Sequence, residues 1–119
     1  MKYLAPAVSV SSLDASRHFY CDVLGFSEWF RWENTLGVER GGARLILDLT
    51  TNPARDIGDR PGHGITLYMI FDGSDIDAYY SGIKDRAQVL DPIEDKPWGD
   101  RAFSVADPDG YRISVSRES

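Results

Sequence analysis

Apolar and polar residues alternate from Ala7 to Val10, shift to helical spacing between Leu13 and Leu24, and then give way to three strand-like runs: Glu28 to Trp32, Thr35 to Glu39 and Arg44 to Leu49. Period-two runs predict half-buried strands, while Leu13, Phe19, Tyr20, Val23 and Leu24 form one apolar helical face. Ser12 stands where an N-cap is expected, Asp14 lies in the first turn, and Gly25 supplies a C-terminal stop. Arg40-Gly41-Gly42 reads as a hairpin turn between the last two strands.

The order is written again from residue 64. Gly64 to Phe71 is strand-like, and SDIDAYYSGIKDR carries Ile76, Tyr79, Tyr80 and Ile83 at helical spacing, with Ser74 or Asp75 as cap. Strands follow near Val89-Leu90, Arg101 to Val105 and Tyr111 to Val115, with Asp107-Pro108-Asp109-Gly110 as a turn. TTNPARDIGDRPGHG between the halves reads as a linker. The repeat period is about 55 to 60 residues. Each βαβββ copy leaves one sheet face under its helix and the other open, so the expected fold class is α+β, with the two open faces set around a shared cup. Module one is placed at residues 1–50, the linker at 51–63 and module two at 64–119, in a single domain.

Composition narrows the function. A chain of 119 residues with 42% hydrophobic and 27% charged content is sized for one globular domain. No apolar run approaches the roughly 18 residues of a membrane span, and MKYLAPAVSV lacks the features of a signal peptide, so a cytoplasmic protein with no membrane partner is expected. The single cysteine, Cys21, has no intrachain partner and lies on the predicted helix, where a half-buried thiol is expected. A formal charge of −6 disfavours nucleic acid as a partner and suits a cationic small molecule, although it equally serves solubility.

Several stretches together resemble one family. Ser12-Leu13-Asp14-Ala15-Ser16 with Phe19-Tyr20 and Leu24-Gly25-Phe26, then Ile76-Asp77-Ala78-Tyr79, and finally Pro97-Trp98-Gly99-Asp100-Arg101 with Asp107-Pro108-Asp109-Gly110, are similar to the vicinal oxygen chelate superfamily. It includes glyoxalase I, extradiol dioxygenases, fosfomycin-resistance enzymes and bleomycin-resistance proteins, and the resemblance spans nearly the whole chain. It implies a divalent metal held by His, Gln or Glu in the enzymes, at positions that here read Ala5, Thr66 and Ser114. Asp48 is the one carboxylate near a corresponding position. His18 belongs to the first helix, and His63 lies three residues before Thr66. No metal site, cofactor or catalytic residue is therefore expected.

The resemblance is closer to the metal-free bleomycin-resistance branch, on length, Pro6 in the first strand, Leu24-Gly25-Phe26 and the Pro-Trp-Gly loop. That branch implies a homodimer with exchanged first strands that sequesters a cationic aromatic antibiotic and confers resistance without modifying it. Strand alternation puts Ala5, Ala7 and Ser9, then Thr66, Tyr68, Ile70 and Asp72, and then Arg112, Ser114 and Ser116 on the open faces. It also puts Trp29 and Trp32 on opposite faces of one strand, and Phe30 with Trp32 on the same face. The expected ligand-binding residues are Phe30, Trp32, Asp48, Thr66, Tyr68, Trp98, Gly99 and Ser114; the aromatic rings among them stack on planar ligands and attract cations, and Asp48 adds charge complementarity. Three alternatives stay open: a lyase or isomerase using Asp48, Tyr68 or Arg112, a metalloenzyme in a shifted register, or a homodimer with a vestigial cup.

Overall fold

Ser12 begins the first helix: its backbone is extended and its hydroxyl accepts the Ala15 amide at 3.1 Å. The structure, a computed structural model, describes residues 2–51, 61–72 and 75–118. The helix is ordinary α for one turn, α1 (Leu13–Arg17), and then widens into a π-helical turn over His18–Val23. Its closing bonds reach five and six residues back, from the Leu24 amide to the Phe19 carbonyl at 2.9 Å and from Phe26 to Tyr20 at 2.8 Å. The wide turn lets Phe19, Tyr20, Val23 and Leu24 all enter the core. Sequence spacing predicts one uninterrupted helix here. Four bulky residues within six positions instead favour an expanded turn that buries them all.

Around this helix, module one lays β1 (Ala7–Val10), β2 (Ser27–Trp32), β3 (Thr35–Arg40) and β4 (Ala43–Leu49) in the order β1-β4-β3-β2. β1 runs parallel to β4, and the other pairs are antiparallel. Val8, Val10, Leu36, Val38, Leu45 and Leu47 are buried toward the helix. Gly41 and Gly42 both take positive φ, as a two-residue hairpin between paired Arg40 and Ala43 requires.

Module two repeats the plan. β5 (Thr66–Asp72), β6 (Gln88–Asp95), β7 (Arg101–Ala106) and β8 (Arg112–Glu118) are ordered β5-β8-β7-β6, again with one parallel pair joining the first and last strands. Helix α2 (Ile76–Ile83) is capped by Asp75, which accepts the Ala78 amide at 3.1 Å. Ile76 and Ile83 bury with Phe103, Val105, Ile113 and Val115, and the Tyr80 ring lies 4.9 Å from Phe103. The α+β architecture of two βαβββ modules is thus established, and the chain divides into compact units at His63 and Gly64.

Two differences concern strand irregularity. Alternation places β6 only near Val89-Leu90, yet the strand runs eight residues through Pro92. It is an edge strand, so the missing proline donor costs no ladder bond there. A bulge in β2 between Glu28 and Phe30 breaks the alternation and puts Trp29 on the same face as Phe30. The expectation that Trp29 and Trp32 occupy opposite faces is corrected accordingly. Residues 52–60 of the predicted linker and the alternative cap Ser74 lie outside the described residues. Among those described, no helix is long and apolar enough to cross a membrane.

Candidate functional site

On the open face of module one, β-ladder register sets two rows. Trp32, Thr35, Asp48 and Ser9 form one, and Phe30, Gly37, Ile46 and Ala7 form the next. Asp48 is fully buried and accepts a 2.6 Å hydrogen bond from the Thr35 hydroxyl. Its carboxylate therefore fixes the sheet rather than facing solvent. Trp32, one strand further out, is 70% exposed.

Phe30 and Trp29 lie over Gly37, which has no side chain to obstruct them; a Cβ there would come within 2.4 Å of the Phe30 ring and 2.8 Å of Trp29. Trp29 meets Phe30 edge-on at 4.9 Å, Tyr3 meets Trp29 at 5.7 Å, and the Arg44 guanidinium lies 4.4 Å from the ring centres of both Tyr3 and Trp29. Glu39 accepts from Arg44 Nε at 3.0 Å and completes this cluster. Tyr3 and Arg44 were not singled out from the sequence, and Trp29 was expected on the face opposite Trp32. A glycine interior to a strand is the signal that marks such a close approach.

In module two, Thr66 pairs with Arg112, and Tyr68 with Ser114, whose hydroxyl lies 3.2 Å from that of Ser104. Arg112 reaches across β7 to Asp91. Tyr68 is 70% exposed and Ile70 also projects, over a floor of small Ser114, Ser104, Ser116 and Ala102. The register thus brings Thr66, Tyr68 and Ser114 together on one face.

Trp98 and Gly99 belong to the hairpin between β6 and β7. The Gly99 amide donates to the Lys96 carbonyl at 3.0 Å, and the Lys96 amide to the Asp100 carbonyl at 2.7 Å, with Gly99 at φ 107°. This is a three-residue loop in which Pro97 presets the first turn position and glycine takes the left-handed one. The indole plays no part in holding it: Trp98 is 71% exposed and makes no ring contact among the described residues. Arg101, at the root, donates from Nε and Nη2 to Asp77 of α2 at 2.7 to 3.2 Å and from Nη1 to Asp95 at 3.1 Å. The same contact holds the Asp77 carboxyl below the usual range. The following Asp-Pro-Asp-Gly turn is tied by Asp107, which accepts the Asp109 and Tyr111 amides at 2.9 and 2.8 Å.

The donors for a metal are sparse. Thr66 and Ser114 occupy two of the positions at which metal-dependent relatives are expected to use imidazole or carboxylate, and Asp48 is turned to Thr35. Among the described residues no three His, Cys, Asp or Glu side chains group so as to hold a metal ion. This donor set does not fit a divalent cation, which takes at least three protein ligands in catalytic sites. His18 is exposed and paired with Asp22 at 3.0 Å, and His63 is exposed. Cys21 is half-buried, and burial pushes its thiol up from the ordinary value, away from nucleophilic use.

The fold recurs in solved structures. A protein of unknown function from Agrobacterium tumefaciens str. C58 superposes with a TM-score of 0.77 at 24% identity, over 100% of this chain and 95% of that one. A glyoxalase/bleomycin resistance protein/dioxygenase superfamily member from Sphaerobacter thermophilus DSM 20745 gives 0.77 at 27% identity, over 99% and 98%. A lactoylglutathione lyase from Agrobacterium tumefaciens gives 0.73 at 20%, over 97% and 92%. No curated protein matches the sequence significantly. The family model described as Glyoxalase/Bleomycin resistance protein/Dioxygenase superfamily matches residues 2–115, and with the duplicated βαβββ plan behind it, this chain belongs to that superfamily.

Proposed function

We propose that the protein binds and sequesters a cationic aromatic small molecule of the bleomycin class without a metal and without modifying it, and so confers resistance. The observation that carries this reading is the exposure of three large rings: Trp32, Tyr68 and Trp98 each show 70% or more of their surface. Isolated exposed apolar residues are common, but three such rings, on module faces and at a hairpin tip, leave most of their surface open to stack on a planar ligand. Phe30, Thr66, Gly99 and Ser114 complete the contact set. Asp48 acts behind it by fixing Thr35. The protein works as a homodimer in this reading: β1 is an edge strand, and exposed Pro6 precedes it.

Titration with bleomycin, followed by tryptophan emission and by protection of DNA from drug-induced cleavage, tests the reading. Saturable binding with protection is expected; neither effect at any concentration would overturn it. Trp98→Ala is expected to weaken binding at least tenfold while leaving stability within about 0.5 kcal/mol, because Pro97 and Gly99 set the turn. Sedimentation at twice the chain mass is expected, and a monomer would remove the dimer from the proposal.

A further inference from the structure

The hairpin that carries Trp98 is fastened at its root to the helix that packs on its sheet. Lys96 Nζ donates to Glu94 at 2.6 Å, and the lysine side chain is only 14% exposed. On the helix face, Arg101 grips both carboxylate oxygens of Asp77 and one of Asp95. Asp77 belongs to the first turn of α2, whose Ile76 is buried against the core, so the grip runs from packed helix to loop root. Register shifts in β6 at Val89/Asp91 and Asp91/Glu94 bend the strand before the loop. Bulges of this kind re-aim the chain beyond them.

From this geometry we propose that Arg101 is a positioning residue, which through Asp77 and Asp95 fixes the direction in which Trp98 presents its indole to the ligand. The inference rests on the proposed binding role of Trp98. A guanidinium serves where an ammonium does not, because its planar fork meets two carboxylates along separate N–H directions. The turn bonds hold the loop backbone closed, and the Arg101 fork holds the closed loop at one angle to α2. A ring at a fixed angle loses less freedom on binding than one on a swinging hairpin.

The test uses 5-fluorotryptophan protein and fluorine NMR. Three tryptophans give three resonances, and the one lost in Trp98→Ala is that of Trp98. Asp77→Ala and Arg101→Lys are expected to shift and sharpen that resonance alone, with unchanged far-ultraviolet circular dichroism. Asp77→Ala is also expected to weaken bleomycin binding about tenfold in the parent protein and to have no further effect in the Trp98→Ala background. An unmoved Trp98 resonance in a folded Asp77→Ala protein overturns the proposal, as does equal weakening with and without Trp98. If the parent protein fails to bind bleomycin, the functional reading falls on that result, and the fluorine spectrum still decides whether Arg101 orients the ring.

Discussion

Gly37 and Glu33 show how single residues set the first module's open face, and each leads to a measurable consequence. Gly37 carries no unusual φ; its requirement is steric, since the Phe30 and Trp29 rings occupy the space of a Cβ. Gly37→Ala must displace two aromatic rings from a packed cluster, and overpacking of that kind costs about 1–3 kcal/mol. Thermal unfolding of the variant is expected to show that loss, and an unchanged midpoint would show that the rings move freely. Glu33 is the reverse case. It has φ 51° at the first position of the two-residue turn joining paired Trp32 and Thr35, a conformation that glycine adopts without strain. Glu33→Gly is expected to stabilise the protein by about 1 kcal/mol, read as a raised midpoint in urea. The strand from Thr35 to Glu39 is read from the sequence without remark on its glycine, and which rings lie over Gly37 depends on a bulge that alternation does not encode.

At the level of elements, strands and turns were the legible part. β1, β3, β4 and β7 fall within a residue or so of where alternation put them, and Asp75 caps α2 as one of the two expected candidates. The π-helical turn and the full length of β6 were not legible, because each depends on tertiary burial and edge position rather than on local preference. The same holds for the link between α2 and the Trp98 hairpin, whose partners Asp77 and Arg101 stand 24 positions apart. Its electrostatics give a test. The hydrogen bond from Arg101 holds Asp77 below the ordinary carboxylate range, so the contact contributes stability at pH values above the unfolded pKa, near 4, and loses it as pH falls through the folded value. Asp77→Asn is therefore expected to flatten the acid limb of the stability profile below about pH 4 while leaving its slope at neutral pH alone. Equilibrium urea midpoints between pH 2 and 7 measure this, and parallel profiles would show that the pair contributes nothing to acid sensitivity.

Across the whole molecule, duplication was the most legible feature, and it appears as two sheets with the same strand order and the same placement of the one parallel pair. The candidate site was legible in its residue types and less so in their setting: Tyr68, Trp32 and Trp98 present their rings, whereas Asp48 is enclosed beside Thr35. That enclosure bears on metal chemistry. Among the described residues, a carboxylate committed to a hydroxyl donor, with serine and threonine where the family resemblance places the ligands, offers a transition metal fewer than three strong ligands. A site with micromolar affinity would stabilise the folded chain by about 4 kcal/mol in millimolar metal, a thousandfold excess over its dissociation constant. For a domain of this size that corresponds to a rise in melting midpoint of roughly 15 °C or more. Melting in millimolar Zn²⁺, Ni²⁺ or Mn²⁺ is accordingly expected to match melting in chelator to within a degree or two. A rise of the larger size with any one ion would place a metal centre in this chain and return the metal-dependent branch of the superfamily to first place.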